Sequence, residues 1–289
     1  MLPGITGSTR VCGVIGDPVA HTVSPAMHNA AFRALDLDYI YLPLRVSRPD
    51  LPQAVAGMRA FNIHGLNVTV PHKEKVLPLL DELDPLAVKI GAVNVIINND
   101  GILKGYNTDA GGFLQALDHR GVKPDGKTAV VLGAGGASRA ICFALAGQVS
   151  KILLLNRTAA RAESLAKDVS MATGQAIEAG RLTRSGLSQA LLEARLLVNT
   201  TSLGMSPNNG ETPVTADLLY PGLTVVDIVY NPARTKLLQE AEKAGAATVN
   251  GLDMLVCQGA MAFHLWTGLE APHDIMRKAA AGALKQHED

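Results

Sequence analysis

Short apolar runs alternate along the chain with segments whose apolar residues recur at helical spacing. The apolar runs predict strands at Val11–Ile15, Tyr39–Leu44, His64–Val70, Val93–Ile97, Ile102–Gly105, Thr128–Leu132, Lys151–Leu155, Leu196–Asn199 and Leu223–Asp227. The helical spacing predicts helices at Ala26–Leu35, Gln53–Ala60, Lys73–Leu80, Pro85–Ile90, Ala110–His119, Ala140–Ala146, Arg234–Ala244, Leu252–Trp266 and Asp274–Lys285, with another near Thr158. Alternating strands and helices indicate an α/β fold with largely parallel, buried sheets. The turn-type tetrapeptide Asn98–Gly101 predicts a hairpin, which makes the first sheet mixed.

A glycine-rich segment, residues 133–139, follows the strand Thr128–Leu132 and precedes a helix. A strand, a glycine turn and a helix in that order are typical of a dinucleotide-binding unit, where backbone N–H groups meet a pyrophosphate. The usual third glycine is Ser138, which is small enough for close helix–strand packing. Glycine-rich turns after strands also occur without a ligand, and this segment alone does not exclude that alternative. The predicted cofactor contacts here are Gly133, Ala134, Gly135, Gly136 and Ala137.

The next strand ends in Asn156-Arg157-Thr158, and Arg157 lies 24 residues after Gly133. A unit that binds NAD carries an acidic residue near this place, for the ribose 2′-hydroxyl. This chain instead has Arg157, with Arg161 one helical turn later, and guanidinium groups suit a 2′-phosphate. The pattern therefore favours NADP over NAD, against the alternative of two solvated surface arginines.

The predicted dinucleotide unit begins near residue 128, and its strands run to about residue 249. The first hundred residues have strands and helices of their own. We therefore predict a substrate-binding and catalytic domain at residues 1–108 and a Rossmann-like cofactor domain at residues 109–250. The cleft between two such domains is the expected ligand site.

Composition narrows the class of protein. The chain has 289 residues, enough for two modest domains, and Lys plus Arg and Asp plus Glu number 26 each. This balance argues against a nucleic-acid or anionic-membrane binder. Three scattered cysteines argue against a disulfide framework, and no CxxC or HExxH spacing supports a metal site. Since no run resembles a targeting or bilayer-crossing segment, we expect a soluble cytoplasmic protein.

Polar residues occupy the third predicted strand and the segment after it. In extended chain, Asn67 and Thr69 lie on one face, while Val68 and Val70 face the core. Lys73 opens the predicted helix, where a cation is unfavourable for the helix dipole. That local cost indicates a functional lysine, against the alternative of an exposed surface lysine.

A second polar cluster precedes the helix predicted at Ala110–His119. One interpretation is that Thr108 or Asp109 caps this helix. The other is that the Asp109 carboxylate faces an ammonium group from the first domain, and the sequence leaves both interpretations open. A third cluster surrounds Ser24, which is predicted to be an N-cap because Pro25 follows it. Thr22 then lies near a helix N-terminus, which favours a carboxylate.

Two polar residues in the C-terminal part lie among apolar neighbours. Gln258 falls on a largely apolar predicted helix, where a buried glutamine needs polar partners such as a substrate hydroxyl. Tyr230 is either an ordinary packed tyrosine or a site residue.

Eight motifs occur in order along nearly the whole chain: GDPVAHTVSPAMHN at residue 16, NVTVPHK at 67, GAVN at 91, GYNTDAGG at 105, GAGGASRA at 133, NRT at 156, DIVYNP at 227 and GLDMLVCQGA at 251. Together they resemble the shikimate dehydrogenase family. The resemblance implies reversible, NADPH-dependent reduction of 3-dehydroshikimate to shikimate in aromatic amino-acid biosynthesis. It also implies that residues 251–289 return to complete the substrate domain.

Carried over by position, the resemblance makes Lys73 the general acid–base residue and Asp109 its partner. The residues implied to hold the substrate carboxylate are Thr22, Ser24 and Tyr230. Those implied to contact ring hydroxyls or order the site are Asn67, Thr69, Asn94 and Gln258. Those implied to lie along the cofactor are Thr201, Ile228 and Gly251. The family commonly has Ser where this chain has Thr22, which leaves discrimination between shikimate, quinate and amino analogues open.

Three other functions stay open on the sequence. One is a quinate/shikimate dehydrogenase that uses NAD, which Arg157 and Arg161 disfavour. Another is a non-catalytic homologue that senses a metabolite for a partner protein, which the Lys73 and Asp109 motifs disfavour. A dinucleotide-dependent amino-acid dehydrogenase is the third, and the chain has no evident Arg or Lys clamp for an α-carboxylate. The expected partner is the small-molecule substrate, in a monomer or homodimer.

Overall fold

Two compact units make up the structure, a computed structural model that describes residues 4–286. Unit 1 contains residues 4–112 and 256–286, and unit 2 contains Phe113–Leu255. Residues 1–3 and 287–289, at the ends of the predicted substrate domain, lie outside the described residues. Both divisions fall within helices, whereas the predicted domain boundaries precede these helices. Asp109 consequently groups with unit 1.

Ten helices have been assigned within the described part of the chain. They are α1 (Ser24–Ala34), α2 (Leu51–Ala60), α3 (Pro85–Ile90), α4 (Asp109–His119), α5 (Gly136–Leu145), α6 (Ala159–Thr173), α7 (Arg184–Glu193), α8 (Lys236–Lys243), α9 (Gly251–Thr267) and α10 (His273–Gln286). The chain passes from unit 1 to unit 2 within α4 and returns within α9.

Unit 1 contains a six-stranded mixed sheet with the strand order β2-β1-β3-β5-β6-β4. Its strands are β1 (Arg10–Gly16), β2 (Tyr39–Arg45), β3 (Gly65–Val68), β4 (Glu82–Leu83), β5 (Val95–Asn99) and β6 (Ile102–Tyr106). Strand β1 pairs in parallel with β2 and β3, whereas β5 pairs antiparallel with β3 and β6. The predicted hairpin is confirmed, because Asp100 and Gly101 form its turn with positive φ angles of 51° and 93°.

Unit 2 contains a six-stranded parallel sheet with the strand order β12-β11-β10-β7-β8-β9. Its strands are β7 (Thr128–Leu132), β8 (Lys151–Asn156), β9 (Ile177–Arg181), β10 (Ala194–Asn199), β11 (Thr224–Asp227) and β12 (Ala247–Val249). Strands β7, β10 and β11 are almost wholly buried, as a parallel sheet covered by helices requires. The predicted α/β fold with a Rossmann-like unit is confirmed.

The helix predicted at Lys73–Leu80 is wrong. The chain there forms turns and a short 3₁₀ segment, Leu77–Leu79. Pro78 lacks the N–H that an α-helix would use at this position. The carbonyl of Lys73 instead accepts a hydrogen bond from Val93 N–H, with an N···O distance of 2.8 Å. Lys73 therefore lies in a turn, and the argument from the helix dipole no longer applies.

Two other local predictions need correction. Val70 does not face the core, because β3 ends at Val68 and the Val70 side chain is 64% exposed. The sequence analysis also missed β4, β9, β12 and α7. Strand β9 reads IEAGR and has only one large apolar residue, so periodicity does not distinguish it from a loop.

Candidate active site

The candidate substrate residues of unit 1 gather beyond the carboxyl ends of β1 and β3. These strands are parallel, with Ile15 opposite Val68, so the segments that follow them leave the same edge of the sheet. Gly16 and Thr69 meet there, and a Cβ atom on Gly16 would lie 2.3 Å from Thr69 Cγ2. The backbone approach at this edge therefore depends on a glycine at position 16.

Lys73 and Asp109 form a buried ion pair. The distance from Lys73 Nζ to Asp109 Oδ2 is 2.5 Å, and the two side chains are 14% and 5% exposed. The hydrogen bond from Val93 N–H to the Lys73 carbonyl anchors the lysine turn to the segment before β5. The predicted partnership of these two residues thus has the geometry of a direct, charge-assisted hydrogen bond.

The Asp109 carboxylate is not used to cap α4. Asn107 accepts hydrogen bonds at Oδ1 from the N–H groups of Asp109 and Ala110, at 3.1 and 3.3 Å. Asn107 therefore satisfies two of the unpaired donors at the start of the helix. Of the two alternatives left open by the sequence, the structure favours a carboxylate that faces an ammonium group.

Asn94 connects the ion pair to other predicted site residues. Its Nδ2 lies 2.9 Å from Asp109 Oδ1, 2.9 Å from Thr108 Oγ1 and 3.3 Å from Gln258 Oε1. Its Oδ1 accepts a hydrogen bond from Thr108 N–H at 2.7 Å. Helices α4 and α9 approach closely beside it, since a Cβ on Gly112 would lie 2.6 Å from Gln258 N. Gln258 consequently has the polar partner that its sequence context required.

Asn67 lies next to this network. Its Nδ2 donates to the Asn94 carbonyl at 3.2 Å, and its Oδ1 accepts from Tyr41 Oη at 2.6 Å. We call Asn67, Lys73, Asn94, Asp109 and Gln258 the lysine cluster. Tyr41 was missed by the sequence analysis, because on a strand it has the pattern of an ordinary core residue.

Ser24 does not cap α1, contrary to prediction. It is the first residue of the helix, and the residue at the N-cap position, Val23, has no side chain that can accept a hydrogen bond. Thr22 Oγ1 donates to Ser24 Oγ at 3.2 Å and accepts from Ser24 N–H at 3.3 Å. The two predicted carboxylate ligands are therefore adjacent hydroxyl groups at an uncapped helix N-terminus, where a carboxylate is stabilised.

The glycine turn of unit 2 fits a pyrophosphate. Gly133 has a φ of 111°, and a Cβ there would lie 2.5 Å from Thr200 Oγ1, so only glycine fits. A Cβ on Gly135 would meet nothing within 4 Å, and no side chain caps α5. The N-cap residue, Gly135, has no side chain to accept from the first N–H groups of α5, which suits an anion site. Ser138 is fully buried and donates to the Gly133 carbonyl at 2.6 Å, which holds the turn together.

The predicted ribose-phosphate residues lie where β8 meets α6. Asn156 is half-buried at the end of β8, and its Nδ2 donates to the Thr158 carbonyl at 3.0 Å. Arg157 and Arg161 are exposed, and within residues 4–286 neither forms an ion pair with a carboxylate. Both guanidinium groups are therefore available to an anionic ligand.

Among the remaining predicted cofactor residues, Thr201 follows β10, Ile228 follows β11 and Gly251 opens α9. A Cβ on Gly251 would lie 2.4 Å from the Ile228 carbonyl oxygen, so these two residues pack backbone to backbone. Thr201 donates to Asn199 Oδ1 through its N–H at 3.0 Å and its hydroxyl at 2.7 Å. Tyr230 follows β11 in unit 2 and is half-buried, and its role stays a prediction.

Asp227 is the last residue of β11, directly before Ile228, and the sequence analysis gave it no role. Its Oδ1 accepts from Asn199 Nδ2 at 2.9 Å and Val229 N–H at 3.1 Å, and its Oδ2 accepts from Thr235 Oγ1 at 2.6 Å. Burial raises the pKa of Asp227 from 3.8 to about 6, while these hydrogen bonds oppose the shift. An Asp at the end of a buried parallel strand is the signal that could have identified it.

Membrane and metal sites gain no support from the structure. Residues 4–286 contain no helix that is both long and apolar enough to span a bilayer. The same residues bring together no group of three His, Cys, Asp or Glu side chains suited to a metal ion.

Comparison with known proteins identifies the family. The family described as shikimate dehydrogenase substrate binding domain matches residues 14–96, and shikimate/quinate 5-dehydrogenase matches residues 116–203. The shikimate 5'-dehydrogenase C-terminal domain matches residues 251–281. A protein of Methanosarcina barkeri named shikimate dehydrogenase (NADP(+)) is 51% identical over 278 residues, which cover 96% of this chain and 99% of that protein. The chain belongs to the shikimate dehydrogenase family.

Two further shikimate dehydrogenases extend this likeness. A protein of Moorella thermoacetica named shikimate dehydrogenase (NADP(+)) is 48% identical over 281 residues, which cover 97% of this chain and 95% of that protein. A crystal structure of a shikimate dehydrogenase in complex with NADP+ has a TM-score of 0.90 and 40% identity, and covers 97% of this chain and 98% of that one. The predicted family resemblance is therefore confirmed over nearly the whole chain.

Proposed function

We propose that this chain is an NADP-dependent shikimate dehydrogenase that reversibly reduces 3-dehydroshikimate to shikimate in aromatic amino-acid biosynthesis. Its relatives from M. barkeri and M. thermoacetica carry that enzyme's name. The observation that carries the proposal is the buried Lys73–Asp109 pair, whose Nζ–Oδ2 distance is 2.5 Å. An ammonium held beside a carboxylate among neutral amides is suited to exchange one proton with a ligand oxygen.

Lys73 is the acid–base residue of this proposal. Reduction of a ketone requires a hydride at carbon and a proton at oxygen, and NADPH, when bound, supplies the hydride. The Lys73 ammonium has three N–H donors, of which one is bonded to Asp109, so others can reach a carbonyl oxygen. In the oxidation direction the same amine accepts the hydroxyl proton, which is the reverse of this transfer.

Asp109 and Asn94 hold the lysine for this transfer. Asp109 Oδ2 bonds to Lys73, and Asp109 Oδ1 accepts from Asn94 Nδ2 at 2.9 Å. Both carboxylate oxygens are thus engaged, which fixes the carboxylate plane and the direction of the ammonium group. A fixed donor orders the reacting groups before proton transfer, which lowers the entropy cost of reaction.

The other predicted residues bind and orient. We assign the substrate carboxylate to the hydroxyl groups of Thr22 and Ser24, with Tyr230 from unit 2. We assign ring hydroxyls to four polar residues near the ion pair, which are Asn67, Thr69, Asn94 and Gln258.

The cofactor residues are those of unit 2. We propose that the backbone of residues 133–137 holds the pyrophosphate, that Arg157 and Arg161 with Asn156 and Thr158 hold the 2′-phosphate, and that Thr201, Ile228 and Gly251 line the nicotinamide end. The open space at Gly135 and the uncapped N-terminus of α5 support the first assignment. The two exposed guanidinium groups support the second.

A panel of substrates tests the function. Absorbance of the reduced nicotinamide is followed with shikimate, quinate and amino-shikimate, each with NADP and with NAD. We expect the highest kcat/KM for shikimate with NADP. Preference for quinate with NAD would establish the alternative dehydrogenase. No turnover with any pair, together with calorimetric binding of shikimate, would establish the metabolite-sensing homologue.

We further propose that the enzyme acts in the cytoplasm, as a monomer or a homodimer. Sedimentation velocity over a range of protein concentrations separates the two assemblies, and cell fractionation tests the location.

A further inference from the structure

We propose that Tyr41 is a positioning residue that fixes which atoms Asn67 presents to the substrate. Tyr41 lies on β2, outside the residues predicted to contact substrate or cofactor. The inference rests on the proposed function, because it takes Asn67 to contact a substrate hydroxyl.

Both ends of the Asn67 amide are held by hydrogen bonds, and one of the two partners is a carbonyl that can only accept. Tyr41 Oη lies 2.6 Å from Asn67 Oδ1, and a phenol that meets an amide oxygen must donate. Asn67 Nδ2 donates at 3.2 Å to the Asn94 carbonyl, which can only accept. A flipped amide would place its oxygen against the Asn94 carbonyl, and neither of these oxygens can donate. The amide orientation is therefore determined, and one N–H of Nδ2 is left for a ligand.

Tyr41 is itself held rigidly. Its backbone N–H donates to Asn29 Oδ1 at 2.8 Å, and its carbonyl accepts from Asn29 Nδ2 at 2.9 Å. Its ring stacks on the ring of His28, with centroids 4.5 Å apart and planes 14° apart. Tyr41 is 1% exposed and His28 is fully buried. The hydroxyl group is thus held in place from both the backbone and the ring.

His28 supports this arrangement as a neutral ring. Burial lowers the pKa of His28 from 6.5 to about 3. Neither ring nitrogen has a hydrogen-bond partner among the described residues. His28 therefore contributes a flat, uncharged surface on which the Tyr41 ring rests, and it does not compete for the Tyr41 proton.

Loss of the Tyr41 hydroxyl would leave Asn67 Oδ1 without its donor. Asn67 is 8% exposed, so an unsatisfied oxygen there is costly, and the amide keeps only its bond to the Asn94 carbonyl. An amide held by that single bond can change its torsion angle, which moves the N–H group that the substrate meets. We expect substrate affinity to fall about tenfold, the size of effect that follows when one buried acceptor is left unpaired.

The test compares two tyrosines of the same strand. We expect Tyr41→Phe to raise the KM for shikimate about tenfold, with kcat and the KM for NADP little changed. Tyr39→Phe is the matched control, because the Tyr39 hydroxyl interacts with Arg10 Nη1 and the Trp266 carbonyl, outside the lysine cluster. Wild-type KM in Tyr41→Phe, or an equal rise in Tyr39→Phe, would overturn the inference.

A double variant separates positioning from general support of the fold. If Tyr41 acts through Asn67, then Tyr41→Phe adds no further rise in KM when Asn67 is already alanine. Additive effects would show that Tyr41 acts independently of Asn67, and would reject the proposal. Wild-type turnover of shikimate is measured first. Its absence would overturn the proposed function and this inference together, whereas normal turnover with additive variants overturns only the inference.

Discussion

Each unit holds one carboxylate buried among Asn and Thr side chains, and the two carboxylates differ in their partners. In unit 1, Asp109 accepts hydrogen bonds from the Lys73 ammonium and the Asn94 amide. In unit 2, Asp227 accepts from the Asn199 amide, a threonine hydroxyl and a backbone N–H group, all of them neutral. The same kind of side chain therefore lies in two electrostatic environments within one molecule.

The difference indicates what each carboxylate does. An ammonium partner carries protons that can transfer to a ligand oxygen, which is the role that we propose for the pair of Lys73 and Asp109. Neutral partners offer hydrogen bonds that hold their own residues in place, so Asp227 joins the ends of β10 and β11 to the start of α8. Burial disfavours the charged carboxylate, and hydrogen bonds from neutral donors offset this only in part, so the pKa of Asp227 is raised to about 6. Burial of a carboxylate alone does not identify a catalytic residue, and the chemistry of its partner must be considered as well.

The largest expected effect is on kcat, and it follows from removing the ammonium group of unit 1. Lys73→Ala removes the proton donor, and positioned proton transfer contributes about 10²–10⁴-fold to rate. We expect kcat to fall by at least about a hundredfold with little change in substrate affinity. Steady-state rates and calorimetric binding of shikimate measure the two quantities separately.

Lys75→Ala is the matched control for this variant, since Lys75 is exposed and lies two residues away in the same turn. Near wild-type kcat in Lys73→Ala would remove Lys73 from the mechanism. A similar loss in Lys75→Ala would show that the turn itself, and not the buried amine, is what matters.

The second effect concerns the pH dependence of stability in unit 2. The folded pKa of Asp227, about 6, lies above its ordinary value of 3.8. The folded state therefore binds more protons between these values, and the contribution of Asp227 to stability falls as pH rises from about 4 to about 6. The full change is about 3 kcal/mol, from about two pKa units. Urea unfolding of wild type and Asp227→Asn between pH 4 and 7 measures it.

We expect Asp227→Asn to gain stability relative to wild type as pH rises, since it cannot ionise. Asp217→Asn is the control in the same unit. Hydrogen bonding from Thr215, together with Arg184, lowers the pKa of the exposed Asp217, so its contribution has the opposite sign. A difference between Asp227→Asn and wild type that does not change with pH would contradict the raised pKa.

A third effect tests the neutral partners of Asp227. Thr235 Oγ1 donates to Asp227 Oδ2 at 2.6 Å and accepts from Leu238 N–H at 3.4 Å as the N-cap of α8. Thr235→Val keeps the side-chain shape and removes both bonds, so we expect a loss of about 1–2 kcal/mol in the free energy of unfolding. Thr248→Val, on β12, is the control, and equal losses in both variants would show that Thr235 has no special part.

Local patterns predicted the glycine turn of unit 2 better than the ion pair of unit 1. The glycine turn at 133–139 lies within one strand–turn–helix unit, so sequence spacing alone indicates its geometry. The Lys73–Asp109 pair joins residues 36 positions apart across a sheet. No periodicity shows such a contact: the residues left an ammonium partner for Asp109 open, and only the family resemblance named Lys73.

Some predictions failed because neighbouring residues offer the same chemistry. Asn107, Thr108 and Asp109 can each cap a helix, and the sequence does not say that Asn107 does so. Tyr41 alternates with its neighbours as a core residue would, and its hydroxyl bond depends on β2 and β3 both flanking β1. These assignments depend on tertiary contacts that short segments do not encode.

The smallest expected effect on the free energy of unfolding comes from an exposed ion pair of unit 1. This pair has charged partners without burial, so it tests the two factors separately. Lys104 Nζ lies 3.3 Å from Glu82 Oε2, with the two side chains 32% and 57% exposed. Solvent screens this pair, so we expect Glu82→Gln to change the free energy of unfolding by less than about 1 kcal/mol, and by less still at high salt. A loss as large as that of Thr235→Val would mean that partner charge outweighs burial even at the surface. The difference between Asp109 and Asp227 rests on the charge of their partners at similar burial, and that explanation would then have to be replaced.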